Sequence, residues 1–254
     1  MENNLKQYQS NTKIHNRSWC LLTSLIWAAL GFIIVSLLSA LYSYLMQNYA
    51  FEIIYTNTYI ITSSILSILF FFILIYLSYK WSENIINANY LLIITNWVIN
   101  IFLFVGVIAP LITLLDNPIF IYSMLGITGV IFLIIGGIGY FLVNDKFAFK
   151  LQNIIWIVIT MMFVMQLIFI LPFALLLTNL FSIYYLIYDF VFMIVTIIMI
   201  LLYFYQIKKF DLIYNDLTNN QRIKISLFFG LKLLTCFIIL FLYMIRLFLM
   251  VSKK

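Results

Sequence analysis

Between Ser18 and Phe51 the chain carries no charged residue, and the same absence recurs over 53–79, 84–115, 117–144, 151–188 and 190–207. A seventh apolar run, from about Ile225 to Met250, is interrupted by Lys232. Uncharged length of this kind admits few solutions. A helix rises 1.5 Å per residue and the hydrocarbon core of a bilayer is about 30 Å thick, so a crossing needs about 20 apolar residues. No water is available there for backbone amides, which leaves helices as the economical structure for every run. Composition agrees: 66% of the 254 residues are hydrophobic and 9% charged, against roughly 25% charged in soluble domains.

The expected fold class is therefore all-α, a polytopic membrane protein built as a seven-transmembrane-helix bundle. Helices are predicted near residues 20–46, 57–79, 89–113, 118–142, 152–177, 183–207 and 225–250. A polar, disordered tail (1–18) precedes a single membrane domain (19–254). The tail does not read as a cleaved signal, because the following apolar run is too long and lacks a clear small-residue cleavage site.

Orientation follows from the positive-inside rule. Lys6, Lys13, Arg17, Lys80, Lys146, Lys150, Lys208, Lys209, Arg222 and Lys224 fall in the tail and in alternate loops, while the loops around Glu52, Asp116 and Asn179 hold no Lys or Arg. The amino terminus is thus expected in the cytoplasm, with the protein in a bacterial plasma membrane. Lys253 and Lys254 run against this pattern. Either the last helix crosses against its charge bias, which we favour, or it re-enters and returns.

Most catalytic chemistries lack their residues. His15 is the only histidine and sits in the tail, so neither a metal cluster nor a Ser-His protease can be assembled within the helices. An intramembrane aspartyl protease needs two acids at mid-depth, yet Asp189 alone falls inside a predicted span; Asp211 and Asp216 fall in loops or at helix ends. Lys232 would suit a retinal Schiff base, but the third helix offers no acidic counter-ion. We expect no enzyme, no cofactor, no metal and no nucleic-acid partner. Cys20 and Cys236 read as small buried residues rather than a disulfide.

Intramembrane charge is the remaining pointer, since such residues are costly and usually face a cavity. Lys232 and Arg246 both lie in the last helix, and Lys232 shares a face with Cys236 four residues on. Snorkelling to the two interfaces is the plain alternative. It suits Arg246 as well as a pocket does; for Lys232, eight residues inside Lys224, a polar pocket fits better. Two further features concern packing. Gly126, Gly129, Gly136, Gly137 and Gly139 lie within about half of one helix circumference and offer a smooth face for close helix approach. Gly106, four residues before Pro110, marks an expected kink.

From about Tyr90 onward, the order of these features resembles the Bax inhibitor-1 (TMBIM-like) membrane proteins. FLFVGVIAPLI is similar to that family's third helix, GVIFLIIGGIGYFLVNDKF to its fourth helix and basic loop, ILLYFYQIKKF to the end of its sixth, and CFIILFLYMIRLF to its seventh. The resemblance implies a seven-helix bundle around a central last helix and, in better understood members, a pH-sensitive calcium leak gated by two facing aspartates. Two such carboxylates share a proton and titrate toward neutrality. Carried over by position, the first aspartate falls on Tyr203 and the second on Cys236, while Arg246 matches the family's arginine. Lys80 stands where a basic latch would hold an aspartate.

Unperturbed tyrosine and cysteine titrate near 10 and 8.5, so neither replaces a carboxylate at neutral pH, and calcium prefers oxygen ligands. The expected partners are the lipid bilayer, a cation if the leak survives, or another membrane protein. Some bacterial relatives modulate a membrane AAA protease, which gives a non-transporting alternative to a role in ion or membrane homeostasis.

Overall fold

A computed structural model describes residues 18–49, 90–114, 118–173, 178–213 and 217–252. Among the described residues every regular element is a helix: α1 (Trp19–Tyr49), α2 (Tyr90–Leu114), α3 (Pro118–Phe141), α4 (Asp145–Phe173), α5 (Thr178–Ile213) and α6 (Asn219–Ser252). Four of them, α1, α3, α5 and α6, are long and apolar enough to cross a membrane. The predicted helix at 57–79 lies outside the described residues.

The helices overrun the predicted spans because charge marks a membrane boundary, not a helix end. α5 continues through Lys208 and Lys209 to Ile213, and α4 starts at Asp145, ahead of the predicted residue 152. Local caps explain the starts. The Asn144 side-chain oxygen accepts from the Phe147 amide at 2.9 Å, satisfying one of the first-turn donors of α4. At α6, Thr218 and Gln221 form a reciprocal capping box. Gln221 Oε1 accepts from the Thr218 amide at 3.0 Å, and Thr218 Oγ1 accepts from the Gln221 amide at 3.4 Å.

α1 is patterned opposite to a helix of a water-soluble core. Its buried positions include Ser24, Gly31, Ser39 and Ser43, whereas Leu22, Ile26, Leu37 and Leu41 are exposed. Small and hydroxyl residues inside, with large apolar ones outside, suit helices whose surroundings are hydrocarbon, since contact there comes from close backbone approach. α6 is the contrast: 78% of its apolar span is buried, against 17% of that of α1.

The helices divide into two compact units. One contains α1 from Leu22, α2 and α6 up to Leu234. Glycine sets its spacing: a Cβ on Gly230 would meet Trp27 Cβ at 2.5 Å and the Ser24 carbonyl oxygen at 3.0 Å, and one on Gly31 would meet Leu234 at 2.5 Å. Trp27 and Trp97 meet edge to face, their centroids 6.3 Å apart. Asn96 and Asn100 are buried on α2 and satisfied within it, Asn100 Nδ2 donating to the Asn96 carbonyl at 2.7 Å and to its side-chain oxygen at 3.0 Å.

The other unit contains the first turn of α1, α3 from Tyr122, α4, α5 and α6 from Thr235. Ala148, Leu151 and Ile155 of α4 recur at helical spacing and pack with Leu202 of α5. Where α3 crosses α5, Gly136 and Gly139 remove the side chains that would hold the backbones apart. A Cβ at Gly139 would stand 2.6 Å from the Leu201 carbonyl oxygen, and one at Gly136 within 2.5–2.8 Å of the Phe204 ring. Crossing helices touch closely only near the crossing point, and among the described residues nothing from a neighbouring element comes within 4 Å of a Cβ built at Gly126, Gly129 or Gly137.

Candidate functional site

The α3–α5 crossing leads directly to the residue pair singled out from the sequence. Phe132 of α3 meets Phe204 of α5 and Phe237 of α6, both edge to face, at centroid distances of 5.7 and 5.6 Å. Those two phenylalanines directly follow Tyr203 and Cys236 in sequence. Further along, Phe192 stacks on Tyr243 at 5.5 Å. The two α5–α6 pairings run in opposite sequence directions, so α5 and α6 pack antiparallel. In this register Tyr203 and Cys236 each directly precede a phenylalanine that meets the Phe132 ring. Cys236 is 3% exposed and is a free thiol.

Lys232, one turn before Cys236 on α6, is 8% exposed. Its ammonium lies 4.4 Å from the centroid of the Phe228 ring, itself buried. A desolvated cation over an aromatic face gains about 2 kcal/mol, which offsets part of the cost of holding charge in an apolar setting. Gly106 and Pro110 do not end α2, which runs on to Leu114. Lys80 and the Arg246 side chain lie outside what the structure describes. Among the described residues no group of three or more His, Cys, Asp or Glu side chains is placed to hold a metal ion.

A second polar centre has no counterpart in the sequence reading. Asp211, 1% exposed, accepts hydrogen bonds from the amides of Cys20 at 2.8 Å and Leu21 at 3.4 Å, and the Tyr140 hydroxyl donates to it at 3.3 Å. Its carboxylate therefore caps α1 from across the fold, where first-turn amides have no partner of their own. Nearby contacts brace the same end. The Tyr205 hydroxyl donates to the Asp145 carboxylate, and Lys208 Nζ donates to the Val143 carbonyl at 3.4 Å. A readable signal did exist: Ile200, Phe204, Ile207 and Asp211 share one buried stripe at helical spacing, continuing past the lysines.

This centre also shows that the first turn of α1, the end of α3, the start of α4 and the end of α5 lie together. No family model matches the chain, and none of the curated proteins or solved structures matches it either.

Proposed function

We propose that the chain is a Bax inhibitor-1-like integral membrane protein acting in ion or membrane homeostasis, with its core acid pair replaced by the neutral couple Tyr203 and Cys236. One observation carries this reading. The two positions to which the resemblance assigns facing aspartates, 33 residues apart in sequence, each directly precede a phenylalanine that packs on Phe132, Phe204 on α5 and Phe237 on α6. Neither side chain is a carboxylate, so the couple supplies no acid pair to share a proton and gate a path, and Lys232 one turn away repels a divalent cation. The same chemistry favours the second reading, a non-transporting partner of another membrane protein such as an AAA protease.

Reconstitution into calcium-loaded proteoliposomes tests the proposal. The unmodified protein is expected to show little pH-dependent calcium flux around neutrality. Tyr203→Asp with Cys236→Asp restores two facing carboxylates, but Lys232 would hold them charged as a salt bridge. The triple variant that adds Lys232→Leu should be the pH-sensitive one. Strong pH-gated flux through the unmodified protein would overturn the assignment of this pair. Copurification of a membrane protease without any flux would favour the second reading.

A further inference from the structure

The turn between α3 and α4 presents an unusual mixture of side chains. In the run FLVNDKFAFK (141–150), Phe141 and Leu142 are each 74% exposed, Phe147 48% and Phe149 66%. Lys146 and Lys150 are exposed among them. Lys146, Phe149 and Lys150 stand at i, i+3 and i+4, which places them on one face of α4. Ala148, Leu151 and Ile155 occupy the opposite face and pack with Leu202. Tethering of Tyr205 to Asp145, and of Lys208 to the Val143 carbonyl, brings the end of α5 to the same turn, and with it the exposed Lys209.

The charges are arranged against their own helix. Lys146 lies in the first turn of α4, where the helix dipole favours anions, and Lys146 and Lys150 form a like-charged i, i+4 pair that destabilises an isolated helix. The carboxylate of Asp145 receives the Tyr205 hydroxyl, and that of Asp211 is buried against α1. An external anion is the natural complement. The exposed phenylalanines narrow its identity, because a soluble anion offers nothing to cover them, whereas the headgroup boundary of a bilayer offers phosphate and acyl chain side by side.

We propose that Lys146, Lys150 and Lys209, with Phe147 and Phe149 among them, form a docking surface for the headgroup of an anionic phospholipid. The surface stands independently of the Tyr203–Cys236 pair and of any family assignment. The full-length protein, purified in detergent, is titrated with phosphatidylglycerol or phosphatidylcholine, and bound lipid is read by native mass spectrometry. Phosphatidylglycerol is expected to bind the more tightly. Each lysine near a charged lipid surface contributes about fivefold, so Lys146→Ala/Lys150→Ala/Lys209→Ala should weaken phosphatidylglycerol about a hundredfold and leave phosphatidylcholine little changed. Arginine at all three positions should preserve the preference, and Phe147→Ser/Phe149→Ser should weaken both lipids.

Equal binding of the two lipids by the unmodified protein, or an unchanged preference in the triple alanine variant, overturns the proposal. So does displacement of phosphatidylglycerol by inorganic phosphate at matching concentration, which would mark a simple anion site. Should the triple variant fail to fold, the unmodified protein still decides the matter. Its preference must fade at about 1 M salt, where the screening length falls to about 3 Å, and a preference that persists there rejects the surface.

Discussion

Asp211 shows what a single residue does when its context inverts its usual meaning. In the sequence it follows two lysines and looks like part of a solvated helix end. In the structure it is buried and turned toward the open amides of α1. Replacing it by alanine removes the acceptor and leaves the buried Cys20 amide unsatisfied, with an expected loss of roughly 2 kcal/mol. Asp211→Asn keeps one acceptor oxygen and should lose about half as much. Thermal unfolding in detergent compares the two, and amide exchange should accelerate at both Cys20 and Leu21 in the alanine variant but at one of them only in the asparagine variant. Equal stability of both variants with the parent would mean that water or another group can cap α1.

At the scale of elements, the existence of the six described helices was legible and their limits were not. Uncharged length reports how much chain fits in hydrocarbon. Where a helix stops depends on caps and breakers, and so α5 passes through Lys208 and Lys209 to end near Ile213. The glycines of α3 carry a similar lesson. Their clustering announced close packing, but the choice of Gly136 and Gly139 as the contact points depends on where α5 crosses, which no local pattern encodes. Gly139→Ala should destabilise the protein by about 1–3 kcal/mol, since the added carbon meets backbone rather than a movable side chain. Gly137→Ala meets open space and should be neutral, or stabilising by up to about 1 kcal/mol through helix propensity. Thermal midpoints of the two variants, measured side by side, check the contrast. Of the candidate site, the choice of Tyr203 and Cys236 rests on analogy, and the Asp211 cap required the fold itself.

For the molecule as a whole, basic residues in the N-terminal tail and in alternate loops point to a single sidedness. By the positive-inside rule the stretches carrying Lys146, Lys150, Lys208 and Lys209 are expected on the cytoplasmic side, as is the start of α6 with its Arg222 and Lys224. A cysteine placed at the exposed position 220 by Asn220→Cys should resist an impermeant thiol reagent in intact cells and react once the membrane is permeabilised. The native Cys20 and Cys236 are buried and give little background. Labelling of position 220 in intact cells would reverse the orientation.

The hydrogen bond from Cys20 to Asp211 joins residues 191 apart in the chain, and this separation imposes a schedule on biosynthesis. α1 leaves the ribosome ahead of α5, and the carboxylate that completes it is translated about 10–40 s later at 5–20 residues per second. Until then the opening amides of α1 must borrow partners from water or lipid headgroups at the membrane surface. The bond therefore acts as a closing stitch: a helix made early is finished late, and a nascent chain halted before α5 would carry a frayed first turn that quality-control proteases can recognise.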